Sequence, residues 1–193
     1  MRITTRLVAA VAVLAAGSAF AFTWSPDAYP GGSHSYTWEM TVDQGDGPQT
    51  ATISVDIVQK GDSFDTSTTT KVTQTGVAKG DITSAALGGS MLGALAIGPM
   101  MVFYGPAFMM LPALLGNEDI HVRSDPVRVA GVGSIHMDKT ETIAGHQCVV
   151  LRLEMDDGSP PVEMALAEDL PFPCYSKYGE EGNQTSIRLV KAE

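Results

Sequence analysis

Basic runs are missing from this chain: no two of its 12 lysines and arginines are adjacent, and 22 acidic residues outweigh them to a net charge of −10. That excludes the basic stripe that nucleic acid or an anionic membrane surface would require. Cysteine is scarce, with Cys148 and Cys174 the only two, and no C-x-x-C is present. Zinc ribbons and thioredoxin-like redox sites are excluded by that spacing. G-x-S-x-G, P-loop and G-x-G-x-x-G motifs are absent as well. His136-Met137-Asp138 is better explained as strand next to a turn than as a metal pair. Ser134 and His136, two apart, share a strand face, whereas a catalytic triad draws its members from distant segments. The expectation is a non-catalytic protein with no catalytic residue, no metal and no cofactor.

What is present begins with an address. Arg2 and Arg6 precede an uncharged apolar run from Leu7 to Ala16, and Ala19-Phe20-Ala21 fits a small-x-small cleavage site. Residues 1–21 are therefore expected to be a signal peptide cut before Phe22, because ten apolar residues are half of what a spanning helix needs, about 20. No cysteine follows to take a lipid. The expected location is exported, periplasmic or associated with the cell envelope. In such a compartment Cys148 and Cys174 are expected to form a structural disulfide, contributing roughly 3–4 kcal/mol on a chain-entropy argument. Two unrelated free thiols are the alternative.

Residues 22–193 are expected to form one domain, since 44% hydrophobic residues over this length support a core. Tyr36, Trp38, Met40 and Val42 alternate with Ser35, Thr37, Glu39 and Thr41. Ala51, Ile53, Val55 and Ile57 repeat the pattern against Thr52, Ser54 and Asp56. Asp43–Pro48 and Lys60-Gly61-Asp62 carry turn chemistry, and the Thr-rich 63–73 suits a half-exposed strand. The C-terminal part predicts strands at 119–123, 127–137, 139–143, 146–155, 161–167 and 184–191. Asp156-Asp157-Gly158-Ser159-Pro160 forms a turn between two of them. About nine strands in all imply an antiparallel, curved sheet sheltering one apolar face.

Between these flanks, Ile82 to Asn117 holds 36 residues without a charge, although 18% of the chain is charged. Five of the ten methionines lie there: Met91, Met100, Met101, Met109 and Met110. Three readings compete. Residues 85–115 are long enough to span a bilayer as a helix, but Pro99, Pro106 and Pro112 interrupt them, at a cost of about 3 kcal/mol each in a soluble helix. One span would also place the two β flanks on opposite sides of a membrane. Taken as boundaries, the prolines leave short helices at 85–98 and 99–115 that could cap a curved sheet, with methionine repacking around an apolar guest. The third reading is plain buried core.

The stretch Glu141-Thr-Ile-Ala-Gly-His-Gln-Cys148-Val-Val-Leu-Arg-Leu is followed by an acidic-Gly turn. Then comes Val162-Glu-Met-Ala-Leu-Ala-Glu168-Asp-Leu-Pro-Phe-Pro173. This pattern resembles secreted bacterial proteins of uncharacterised function, a group similar to the periplasmic lipoprotein carriers. The resemblance covers about 35 of the 172 residues after the signal, and the rest only in order of elements. It implies a mainly β (α+β) fold: an unclosed antiparallel half-barrel with an apolar helical insert, here 82–117, on or near its concave face. The expected activity is binding of an apolar ligand, a lipid or lipidated protein. Met91, Leu95, Met100, Met101, Phe103, Phe108, Met109 and Leu111 are the expected contacts, with little polar specificity. The rival expectation is a membrane-associated interaction protein anchored by 85–115. The insert is longer and more apolar than a simple lid requires, and no arginine is assigned a lipoprotein contact.

Overall fold

Alternating side chains and short turns produce strands throughout the described part of the chain. The computed structural model describes residues 21–24, 29–43, 48–73, 119–180 and 182–193. The expected apolar insert and its eight contact residues lie outside them, as does most of the signal segment. Among the described residues there is no helix, and none long and apolar enough to cross a membrane.

Nine strands form one antiparallel sheet: β1 (His34–Asp43), β2 (Gln49–Lys60), β3 (Ser63–Thr73), β4 (Arg123–Val129), β5 (Gly133–Ile143), β6 (His146–Met155), β7 (Val162–Ala167), β8 (Tyr175–Glu180) and β9 (Asn183–Ala192). Their order is β3-β2-β1-β9-β8-β7-β6-β5-β4, so the sheet is unclosed, with β3 and β4 as its edges. Two meanders, β1–β3 and β4–β9, are joined by a pairing that no hairpin dictates. That seam sets Met40 opposite Ile187 and Trp38 opposite Leu189, with a register shift between Thr37 and Trp38.

Several expected boundaries move. Of 119–123, Ile120 pairs in an isolated bridge with Phe22, and the strand itself starts only at Arg123, opposite Met137. The single strand expected over 127–137 is broken at Ala130-Gly131-Val132, and Val129 turns back to pair with Gly133. Gly133 sits at φ 157° against its neighbour strand, where a Cβ would lie 1.9 Å from the Glu154 carbonyl oxygen. Only glycine allows that approach. The expected 139–143 strand is the continuation of β5, past a bulge between His136 and Lys139. β8 was not expected at all, because its six residues offer only tyrosines as apolar signal and include a glycine, Gly179.

The core lies in two clusters. One gathers Tyr36, Trp38 and Met40 of β1, Ala51 and Ile53 of β2, Ile187 and Leu189 of β9, and Cys148, Val150, Ala165, Ala167, Leu170 and Cys174. The other holds Ile135, Met137, Val149, Leu151, Met164 and Leu166, and is covered by Phe22, Trp24 and Ile120. The cover is fastened by paired backbone bonds between Phe22 and Ile120 (3.1 and 2.8 Å) and by Trp24 Nε1 donating to the Leu170 carbonyl at 2.9 Å. Successive residues of β6 and β7 fall into different clusters, so both strands are buried on both faces. The inward row of β2 fades along the strand: Ala51 and Ile53 are buried, while Val55 and Ile57 are half-buried.

Candidate functional site

Alternation on β1 places His34, Tyr36 and Trp38 on one side of the strand, and three other segments bring rings to them. Phe64 of β3 meets Tyr29 edge-on at 5.3 Å, and Tyr29 meets His34 at 5.8 Å. His34 stacks on Tyr36 at 5.9 Å, and Tyr36 contacts Trp38 at 5.9 Å. Phe172, from the β7–β8 connection, closes edge-on against both, at 4.6 and 5.1 Å. All are within the range of favourable ring pairs, about 4.5–7 Å. The result is a continuous aromatic ladder from the sheet rim, where Phe64 is 43% exposed, to Trp38 at 2%.

The outer rungs are held by hydrogen bonds. Tyr29 Oη donates to the Gly32 carbonyl at 3.0 Å, and His34 Nε2 lies 2.7 Å from the Gly31 carbonyl, the geometry of a ring N–H donating. Gly32 N donates to Gln59 Oε1 at 2.9 Å. Burial pushes the Tyr36 phenol above its ordinary pKa, with Tyr29 and Asp169 adding to the rise. The inner end differs, because the buried Nε1–H of Trp38 has no hydrogen-bond partner among the described residues. A buried donor without an acceptor costs about 1–3 kcal/mol, so this atom calls for an acceptor.

Below the ladder, the expected disulfide is corrected. Cys148 and Cys174 are neighbours, fully buried, but they are free thiols. Cys148 pairs with Ala167, and Cys174 N donates to the Ala165 carbonyl at 2.8 Å, so β7 runs between them. Alanine at 165 and 167 leaves room for the two sulfurs to meet in a hydrogen bond instead. That bond favours the Cys148 thiolate and, with burial, raises the pKa of Cys174. Cys148 Sγ in turn donates to the His146 carbonyl at 3.5 Å.

Polar pairs surround these thiols. His146 Nδ1 lies 2.7 Å from Asp169 Oδ2, and Arg188 Nη2 lies 2.5 Å from Glu141 Oε1 while stacking over Tyr175 at 5.6 Å. His146, Cys148 and Asp169 supply the residue types of a cysteine nucleophile. Cys148, however, is wholly buried and bonds to a backbone carbonyl, which suits packing and not attack. His136 pairs with Glu154 at 3.4 Å, away from Asp138. Among the described residues no three His, Cys, Asp or Glu converge to hold a metal.

Of the residues expected to act, only the cysteines are described, and the structure brings those two together. The aromatic ladder was not anticipated as a site. Its signal was partly visible, since Tyr36 and Trp38 were placed on one strand face. Tyr29, Phe64 and Phe172 join them only through tertiary contacts. Comparison with family models, curated proteins and solved structures gives no match for this chain.

Proposed function

We propose that this chain is an exported, non-catalytic protein of the cell envelope that binds an acylated apolar ligand, a lipid or the lipid part of a lipidated protein. The observation that carries the reading is the Trp38 Nε1–H, which has no partner among the described residues and lies buried at the inner end of a ladder of rings. Aromatic faces supply apolar contact, and one orphan donor suits a single acceptor, as in an ester or acid carbonyl. A pure hydrocarbon would leave that donor unpaired. The unclosed sheet agrees with the half-barrel expected from the resemblance to periplasmic lipoprotein carriers. In this reading, Met91, Leu95, Met100, Met101, Phe103, Phe108, Met109 and Leu111 supply the apolar contacts of a helical insert on or near the concave face.

The test is native mass spectrometry of the full chain purified from exporting cells without detergent, followed by solvent extraction. The expected result is added mass that extracts as acyl lipid. Tryptophan fluorescence titrated with palmitoyl lysophosphatidylglycerol then reads affinity. Deleting 85–115 abolishes binding, and Trp38→Phe weakens it about three- to tenfold by removing the donor and keeping a ring. Protein without extractable lipid and confined to salt-washed membranes would overturn this reading in favour of 85–115 as a membrane anchor, which the uncharged 36-residue run favours.

A further inference from the structure

The two edges of the sheet are built differently. β4 carries Ser124-Asp125-Pro126 and a register shift between Arg123 and Val127, devices that make an edge a poor template for another strand. β3 has none of these. Its eleven residues pair with β2 without a shift, from Lys60 opposite Ser63 to Thr50 opposite Thr73, and include no proline. Nine of the eleven are exposed, with only Thr70 and Val72 half-buried. Among the described residues no strand lies on its outer side. A long edge of regular register, whose outward N–H and C=O groups meet no strand among the described residues, is a pairing surface.

We propose that this edge pairs with β3 of a second copy of this chain, antiparallel about a two-fold axis through Thr68. The strand is self-complementary in that register. Asp65 stands opposite the partner's Lys71, and by symmetry Lys71 stands opposite the partner's Asp65. These are the only charges on the strand. Phe64, 43% exposed, stands opposite the partner's Val72. Ser63, Thr66 and Ser67 meet the partner's Thr73, Thr70 and Thr69, pairs that suit a cross-strand ladder. Moving the axis by one residue in either direction sets Asp65 against a threonine and Lys71 against a serine, and both charge pairs are lost. Charge complementarity therefore selects both the partner and the register. Asp65 also pairs with Lys60 across the β2–β3 turn, which fixes its carboxylate at the rim. The interface is that of two edge strands, smaller than a standard protein interface, so the dimer is weak.

Sedimentation equilibrium of the full chain, from micromolar concentrations to about 1 mM, tests this directly. The expected result is a reversible monomer–dimer equilibrium. Asp65→Lys and Lys71→Asp each raise the dissociation constant about tenfold, because the axis repeats every contact twice. The double variant, Asp65→Lys with Lys71→Asp, restores it to within about twofold. Thr68→Lys sets two lysines face to face on the axis and abolishes the dimer. Thr68 is exposed, so circular dichroism should find its fold unchanged. A protein that is monomeric throughout overturns the proposal, including one whose β3 edge takes a foreign strand instead. So does a dimer indifferent to the single reversals, or one that the double variant fails to recover.

Discussion

β6–β7 and β2–β3 are both antiparallel hairpins of the same sheet, yet they live in opposite surroundings. From Cys148 to Leu151 and from Met164 to Ala167, every residue is buried, on both faces. No residue of β3 is buried on either face. Backbone pairing is longer in β2–β3, eleven positions against six, so pairing alone does not account for where burial resides. Cover does. β6 and β7 have Phe22, Trp24 and Ile120 on one side and the Leu170–Cys174 segment on the other. β3 ends the sheet, and threonine suits it because a pleated, solvated surface accepts β-branched polar side chains.

The contrast should be sharpest in matched truncations. Leu166→Ala removes a fully buried side chain and should cost about 2–5 kcal/mol in denaturant unfolding, whereas Val58→Ala, on the exposed end of β2, should stay within about 0.5 kcal/mol. Equal losses would mean that the two hairpins share cover.

Alkaline pH should attack the same buried region. Cys174 holds its proton above its ordinary pKa of 9.0, owing to the Cys148 hydrogen bond and burial. Above that pH the unfolded chain binds fewer protons than the native state, so stability present below pH 9 falls as pH rises. The lowered pKa of Cys148 works in the opposite direction, so the fall is the excess of the Cys174 effect over that of Cys148. Thermal melts across that range should show the fall, and Cys174→Ala should flatten it. The thiols themselves should resist an aromatic disulfide reagent until the protein is unfolded, and then count two. A count of zero after unfolding would restore the disulfide.

A smaller change should strengthen the buried side. Ala144, in the two-residue β5–β6 turn, sits at φ 49° beside Gly145 at 90°, a left-handed conformation that costs a side chain energy. Ala144→Asn should raise stability by about 0.5–1 kcal/mol, read as a higher melting temperature, because Asn-Gly is the preferred pair for such a turn.

Much of this architecture was legible from residue patterns. The alternation from Ser35 to Val42 places Trp38 and Met40 inward, and the Gly61-Asp62 and Asp157-Gly158 turns end their strands where expected. β8 was illegible because a short strand of tyrosines and polar residues has no period of its own and is stabilised by neighbours on both sides. The aromatic ladder was half legible: period two places Tyr36 and Trp38 together, while Phe172 reaches them through the chain path after β7.

The cysteines draw the same line. Their burial and nearness agreed with two apolar positions in one domain. That their sulfurs meet in a hydrogen bond as free thiols depended on how the segment before β8 packs against β6 and β7. The sequence by itself determined most of the strands, several of their turns and which of their side chains point inward, because strand period and turn chemistry are local. Only the tertiary structure decided that β1 pairs with β9, which strands are covered twice, which edge is left open, and what sits at the end of the ladder. Those outcomes depend on contacts between segments far apart in the chain, whose closure no local pattern encodes.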